Sequence, residues 1–91
     1  MSDEPDPWND FARELGARML RARAEKRMSQ EQVAHAAGLA TFTYRKLEKG
    51  ESNPGTAANP RLRTLVALAD VLGVPLRELI PTPPQGLPPA H

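Results

Sequence analysis

The sequence predicts an all-α domain, a compact bundle of five helices. Apolar residues recur at steps of three and four along several stretches, as on one face of a helix. Glycines and prolines stand where helix ends need them, and no stretch carries a strand signal. Most of the ten prolines lie near the two ends, so the foldable unit is read as residues 6–80. Residues 1–5 are expected to form a flexible acidic N-terminus, and residues 81–91 a flexible or extended Pro-rich tail.

The first helix begins at Asp6-Pro7, an N-cap followed by the N1 proline, and runs to about Lys26. Phe11, Leu15, Met19 and Ala22 share one of its faces. Ser29 opens the second helix. Ser29 and Gln32 have capping-box spacing, and Met28 and Val33 have the spacing of a hydrophobic staple. This helix is about two turns long and ends near Ala37, because Gly38 can take the left-handed cap conformation. A third helix follows, with Tyr44 and Leu47 inward and Gly50 as its stop; its span is roughly Thr41 to Lys49. Residues 51–60, rich in Asn, Pro and Gly, read as a loop. Asn59-Pro60 is expected to cap a fourth helix carrying Leu62, Leu65, Val66, Leu68, Ala69 and Leu72, ended by Gly73. Pro75 opens a short fifth helix with Leu76, Leu79 and Ile80.

Composition narrows the function. A chain of 91 residues makes one domain at most and buries a modest core, too small for an elaborate active site. It has no cysteine, which excludes disulfides and thiolate metal sites. No apolar run approaches the ~18 residues of a membrane span, and the acidic start is unlike a signal peptide. The expected location is the cytoplasm, with no membrane partner. The net charge of +1 hides an asymmetry: the first eight residues hold Asp3, Glu4 and Asp6 and no base, leaving +4 on the remainder. That balance fits a polyanionic partner. No Ser–His–Asp set, paired carboxylates or phosphate-cradling glycine loop stands out, so no enzyme is expected. His35 has no second ligand in register and His91 lies on the tail, so no metal and no cofactor are expected.

Two short helices joined through a glycine, the second ending in another glycine, form a helix-turn-helix pattern. Ala34 is small where the third helix crosses, and Val33, Ala37, Leu39, Tyr44 and Leu47 supply the wedge between the helices. The crossing exposes one side of the third helix as a ridge that a major groove can accept.

From Leu15 to Ile80 the chain resembles the Cro and phage-repressor-like helix-turn-helix proteins, the XRE family. The marks are Leu15-Gly-Ala-Arg-Met, Met28-Ser-Gln-Glu-Gln-Val-Ala, Ala37-Gly-Leu, Leu47-Glu-Lys-Gly, Asn59-Pro60 and the run from Leu65 to Ile80. The resemblance implies that Ser29 and Gln30 meet a DNA phosphate at the second helix's N-terminus, where free N–H groups and the dipole favour an anion. It implies that Thr41, Phe42, Thr43, Arg45 and Lys46 form the recognition surface, and that Lys49 and the following loop make a second backbone contact. It also implies an ion pair between Arg23 and Glu48, and a two-fold dimer through the end bearing Leu76, Leu79 and Ile80.

The chain departs from the family pattern in places. Ala40 stands where Ser or Thr often caps the recognition helix, so Thr41 is a candidate cap or a candidate base reader. Phe42 is unusual at a base-reading position; it is a satellite core residue, a contact for a thymine methyl, or an anchor for a protein. Tyr44 is bulkier than the common Ile or Val. Asn-Pro occurs at 53 and again at 59, so about six residues are inserted in the loop. Trp8 either covers the edge of the bundle or anchors a partner. Arg45, with its planar fork, suits the O6/N7 edge of guanine, and Lys46 or Lys49 suits phosphate. The expected function is sequence-specific binding of double-stranded DNA at a pseudo-palindromic operator, as a homodimeric transcriptional repressor or autoregulator. The rival reading is a protein-interaction module, such as an antitoxin or co-regulator with a protein partner and secondary DNA binding. Phe42, the long loop and the proline tail fit that rival.

Overall fold

The computed structural model describes residues 6–87; the expectations for residues 1–5 and 88–91, His91 included, lie outside the described residues. The elements are α1 (Pro7–Glu25), α2 (Gln30–Ala37), α3 (Thr41–Glu48), β1 (Glu51–Asn53), β2 (Thr56–Ala57), α4 (Leu62–Leu72) and α5 (Leu76–Leu79). Local chemistry accounts for the helix ends. The Asp6 carboxylate accepts from the Trp8 amide at 2.9 Å, with Pro7 in the first turn. Ser29 and Gln32 make the reciprocal capping box, the Gln32 amide donating to Ser29 Oγ at 3.0 Å and the Ser29 amide to Gln32 Oε1 at 2.8 Å. Gly38 and Gly73 close α2 and α4 at φ +76° and +71°, a region that costs a residue with a Cβ.

One core joins all five helices. Leu15 and Met19 of α1, Val33 of α2, Tyr44 and Leu47 of α3, Leu65, Leu68 and Leu72 of α4, and Leu79 of α5 are buried together. Small residues set how closely the helices approach. Ala34 is fully buried in the α2 wedge. At Gly16, in the middle of α1, a Cβ would lie 2.5 Å from the carbonyl oxygens of both Leu47 and Glu48. The C-terminal end of α3 therefore rests on the backbone of α1. Gly50, at φ +78°, repeats this one turn earlier on α1, with Arg13 Cα 2.8 Å from where its Cβ would be.

Four expectations need correction. The inserted segment is not an irregular loop: β1 and β2 pair antiparallel, Glu51 with Ala57 and Asn53 with Thr56. Pro54-Gly55 supplies the turn, Gly55 at φ +79°, with its amide donating to the Glu51 carboxylate at 3.3 Å. The strands are too short and too polar to leave an alternating pattern. Asn59-Pro60 does not cap α4, which starts after Arg61 without a side-chain cap. Ala58 is pinned in an extended path, its amide donating to Gly50 O and its carbonyl accepting from Trp8 Nε1, both at 2.8 Å. Thr41 is not a cap either: Ala40 holds that position, and no side chain caps α3. Leu79, assigned to a dimer surface, is 1% exposed and belongs to the core, whereas Leu76 and Ile80 are half-buried.

Trp8, half-buried, stacks on Phe11 with ring centroids 4.9 Å apart and ties α1 to the hairpin exit. Arg18 holds the other end of the chain, donating to the carbonyls of Glu78 and Ile80 at 3.0 and 3.2 Å. Pro81, the first residue of the tail, is buried.

Gly16→Ala should cost ~2–3 kcal/mol, because the added methyl meets backbone on a packed helix and cannot be relieved by a rotamer change. Gly38→Ala, whose Cβ meets nothing within 4 Å, should cost about 1 kcal/mol for its backbone conformation alone. Urea melts of both variants check the order; a Gly16→Ala melt equal to the Gly38→Ala melt would show that the close approach of α3 to α1 is not needed.

Candidate nucleic-acid interface

The side of α3 turned away from Tyr44 and Leu47 is open. Phe42, Thr43, Arg45 and Lys49 are exposed, and Thr41 and Lys46 are half-buried. Phe42 is 69% exposed, with the Lys46 ammonium 4.3 Å from its ring centre. That exposure removes the satellite-core reading of Phe42. The lysine covers one ring face by a cation–π contact.

At the start of α2 the capping box occupies the amides of Ser29 and Gln32. The amides of Gln30 and Glu31 lie between them, at the positive end of the helix dipole. Arg45 reaches this place from α3: its Nε donates to Gln30 Oε1 at 3.2 Å, and its Nη2 stands 3.9 Å from the exposed carboxylate of Glu31. The structure therefore brings Ser29, Gln30 and Arg45 to one edge of α3, with Phe42 and Lys46 on its outer ridge. Lys49 lies at the far end, beside the hairpin. There Asn9, Arg13, Lys49, Gly50, Glu51 and Thr56 line a shallow cavity of about 190 Å³.

Behind this surface, Arg23 and Glu48 form a bidentate ion pair. Arg23 donates through Nε to Glu48 Oε2 at 2.6 Å and through Nη2 to Oε1 at 3.1 Å; its Nη1 donates to the Met28 carbonyl at 3.1 Å. The side chains are 19% and 3% exposed. Gln30 Nε2 donates to Glu48 Oε1 at 2.8 Å. Burial pushes the Glu48 carboxyl up, but hydrogen bonds led by Arg23 outweigh it and hold the group below its ordinary pKa of 4.5. The Tyr44 hydroxyl is buried nearby without a partner of ordinary geometry; burial, then the Glu48 carboxylate, raises its pKa.

Residues 19–79 match the family model described as helix-turn-helix. The chain belongs to this family. Within it, the resemblance is to the Cro and phage-repressor type. A transcriptional repressor of a cryptic phage, RstR of Vibrio cholerae, is 38% identical over 58 residues, 64% of this chain. The match spans about half of that repressor, 47% of its length. Among solved structures, the restriction-modification controller protein C.AhdI of Aeromonas hydrophila superposes with a TM-score of 0.66 at 30% identity, over 78% of this chain and 97% of the controller. A hypothetical transcription factor of Neisseria, NHTF, superposes with a TM-score of 0.68 at 28% identity, over 93% of this chain and 88% of that one. In this helix-turn-helix chain no described helix is long and apolar enough to cross a membrane.

Two features of the site escaped the sequence reading. Gly16 stands in the sequence only as part of the family mark Leu15-Gly-Ala-Arg-Met, and only the crossing of α3 gives it a role. The double engagement of Gln30 has no sequence signal, since it depends on the start of α2 meeting two residues of α3.

Removing one partner of so desolvated a pair strands the other charge, so Glu48→Ala and Arg23→Ala should each cost about 3 kcal/mol, and the double variant less than their sum. The pH dependence follows from the lowered carboxyl pKa: the stabilisation is full above the unfolded value of 4.5 and is lost as pH falls through the folded value. Denaturant melts from pH 7 to pH 3 check both points, with Glu48→Gln expected to lose less on acidification than the native chain. Additive single losses, or equal acid sensitivity in the two chains, would count against the pair as a stabilising unit.

Proposed function

We propose that the chain binds double-stranded DNA as a two-fold dimer, lays α3 in the major groove and represses transcription. The observation that carries this reading is the outer side of α3. Arg45 at one edge, Lys46 on the outer ridge and Lys49 just past the end set three basic side chains along a helix whose opposite side is packed into the core. A groove full of phosphates supplies the complementary charge, and base edges supply the acceptors an arginine fork needs. The likeness to a phage repressor and to a controller protein supports the same class of activity.

In this arrangement Ser29, Gln30 and the first amides of α2 face one phosphate, and Lys49 with the hairpin faces another. Thr41, Thr43, Arg45 and Lys46 lie toward base edges. Phe42 offers apolar surface to the C5-methyl of thymine. A single module of this size covers only ~600–1,000 Å², so a second copy supplies the remaining affinity. Leu62 and Val66, one turn apart on α4 and 67% and 51% exposed, together with half-buried Leu76 and Ile80, are the apolar surface offered to that copy.

Selection from a random duplex pool should return two inverted half-sites about one helical turn apart. A footprint over one asymmetric half-site, with one chain per duplex at saturation, would exclude the dimer, and an unenriched pool would exclude sequence-specific binding altogether.

Three variants separate the roles on the selected site. Arg45→Ala should relax preference at one base pair per half-site, at a cost of ~1–3 kcal/mol. Lys49→Ala should weaken all sequences alike and reduce the salt slope by about one unit per half-site. Replacing thymine by deoxyuridine should weaken the native chain and leave Phe42→Ala indifferent. An unaltered base profile in Arg45→Ala, an unaltered salt slope in Lys49→Ala, or equal losses on deoxyuridine would each remove the corresponding role.

A further inference from the structure

Gln30 joins two groups with opposite hydrogen-bonding demands. Its Nε2 donates to Glu48 Oε1 at 2.8 Å, and its Oε1 accepts from Arg45 Nε at 3.2 Å. An ionised carboxylate only accepts and a guanidinium only donates. The amide therefore has one satisfactory orientation, NH₂ toward Glu48 and oxygen toward Arg45. Glu48 is itself immobilised by two bonds from Arg23 in a nearly closed environment. A directed chain of donors thus runs between the α1–α3 junction and the exposed recognition surface, through the first residue of α2.

We infer that Gln30 and Glu48 are positioning residues for Arg45. The buried carboxylate fixes the polarity of the amide, and the amide holds the guanidinium by Nε. Both Nη groups remain for an end-on contact with a base edge. Arg45 is 53% exposed in its side chain, and its other neighbour, Glu31, is 76% exposed at 3.9 Å, a pair that contributes little in water. Gln30 is then the anchor that keeps a long, flexible side chain aimed before DNA arrives, which lowers the ordering cost on binding. One N–H of the Gln30 amide is left over for a phosphate, so the two duties do not compete. The inference rests on the proposed reading of Arg45 as a base-contacting residue.

The test exchanges the two polar groups. Gln30→Glu sets a second carboxylate against Glu48, and no donor joins them. The swap Gln30→Glu/Glu48→Gln restores a donor between the two positions with unchanged net charge: Arg23 Nε donates to the new amide oxygen, that amide donates to the new carboxylate, and Arg45 donates to the same carboxylate, while the second Arg23 bond, from Nη2, is given up. Base-preference profiles are taken on folded full-length chains, with the Arg45→Ala profile marking the base pair concerned. Discrimination there should fall about tenfold in Gln30→Glu and recover most of that loss in the swap. A swap no better than the single variant overturns the inference. So does Gln30→Met if it weakens all sequences equally and leaves the profile intact, the behaviour of a phosphate contact alone. The Arg45 Nε–H resonance of the DNA-free protein separates this from the base-reading proposal. It should shift in Gln30→Met; an unmoved resonance overturns the positioning role whatever the DNA results, whereas an unchanged profile in Arg45→Ala with a shifted resonance removes base reading and leaves the positioning intact.

Discussion

The contact between α1 and the end of α3 is the constraint on which the rest of the molecule depends. It has a steric half and an electrostatic half. Gly16 lets the carbonyls of Leu47 and Glu48 come against the α1 backbone, and at that distance the Glu48 side chain falls within reach of Arg23, seven residues further along α1. Neither half works without the other. A side chain at position 16 would push α3 outward and open the ion pair to water, where it would contribute little. An unpaired Glu48 would carry a desolvated charge at a cost of about 3 kcal/mol. The orientation of α3 is therefore set from inside the bundle, by groups that touch nothing outside it.

The hairpin and Trp8 secure the other side of the same helix. Gly50 turns the chain against Arg13, β1 and β2 return it, and Ala58 is held between the Gly50 carbonyl and the Trp8 indole. The inserted residues thus form a short ordered ribbon alongside Lys49. Trp8 is occupied as an internal clip, stacked on Phe11 and hydrogen-bonded to the main chain, which accounts for a large aromatic near the end of a small domain without a partner.

Rigidity behind and openness in front give α3 its character. Its inner side chains, Tyr44 and Leu47, are buried, while Phe42 stands in solvent with Lys46 above its ring. An exposed phenylalanine is unfavourable in water by itself; beside a lysine it presents an apolar patch framed by positive charge. The aliphatic pair Leu62 and Val66 on α4 is a second exposed apolar feature, and Leu20 on α1 is exposed as well. The patch on α3 and the pair on α4 lie on different helices, so a surface for DNA and a surface for a second copy of the chain need not compete.

The sequence by itself determined where most helices begin and end. Asp6-Pro7, Ser29 with Gln32, Gly38 and Gly73 act over one turn of chain, so their chemistry is complete in the local sequence. The apolar spacing that assigns Leu15, Met19, Tyr44, Leu47 and Leu72 to the core is equally local. The pairing of Arg23 with Glu48 came from resemblance, since residues 25 positions apart carry no mutual signal until helices cross. Tertiary structure decided what depends on two or more elements meeting. It turned residues 51–57 into a hairpin, because pairing needs both strands and a Pro-Gly turn in register. It delayed α4 to Leu62, because Ala58 is pinned by Gly50 and Trp8. It buried Leu79 and left Leu62 and Val66 outside, because a stripe of apolar residues does not reveal which of its edges a neighbour covers. It also joined Gln30 to both Glu48 and Arg45, because only the packing of α2 against α3 brings the amide within hydrogen-bonding distance of a donor-only and an acceptor-only group.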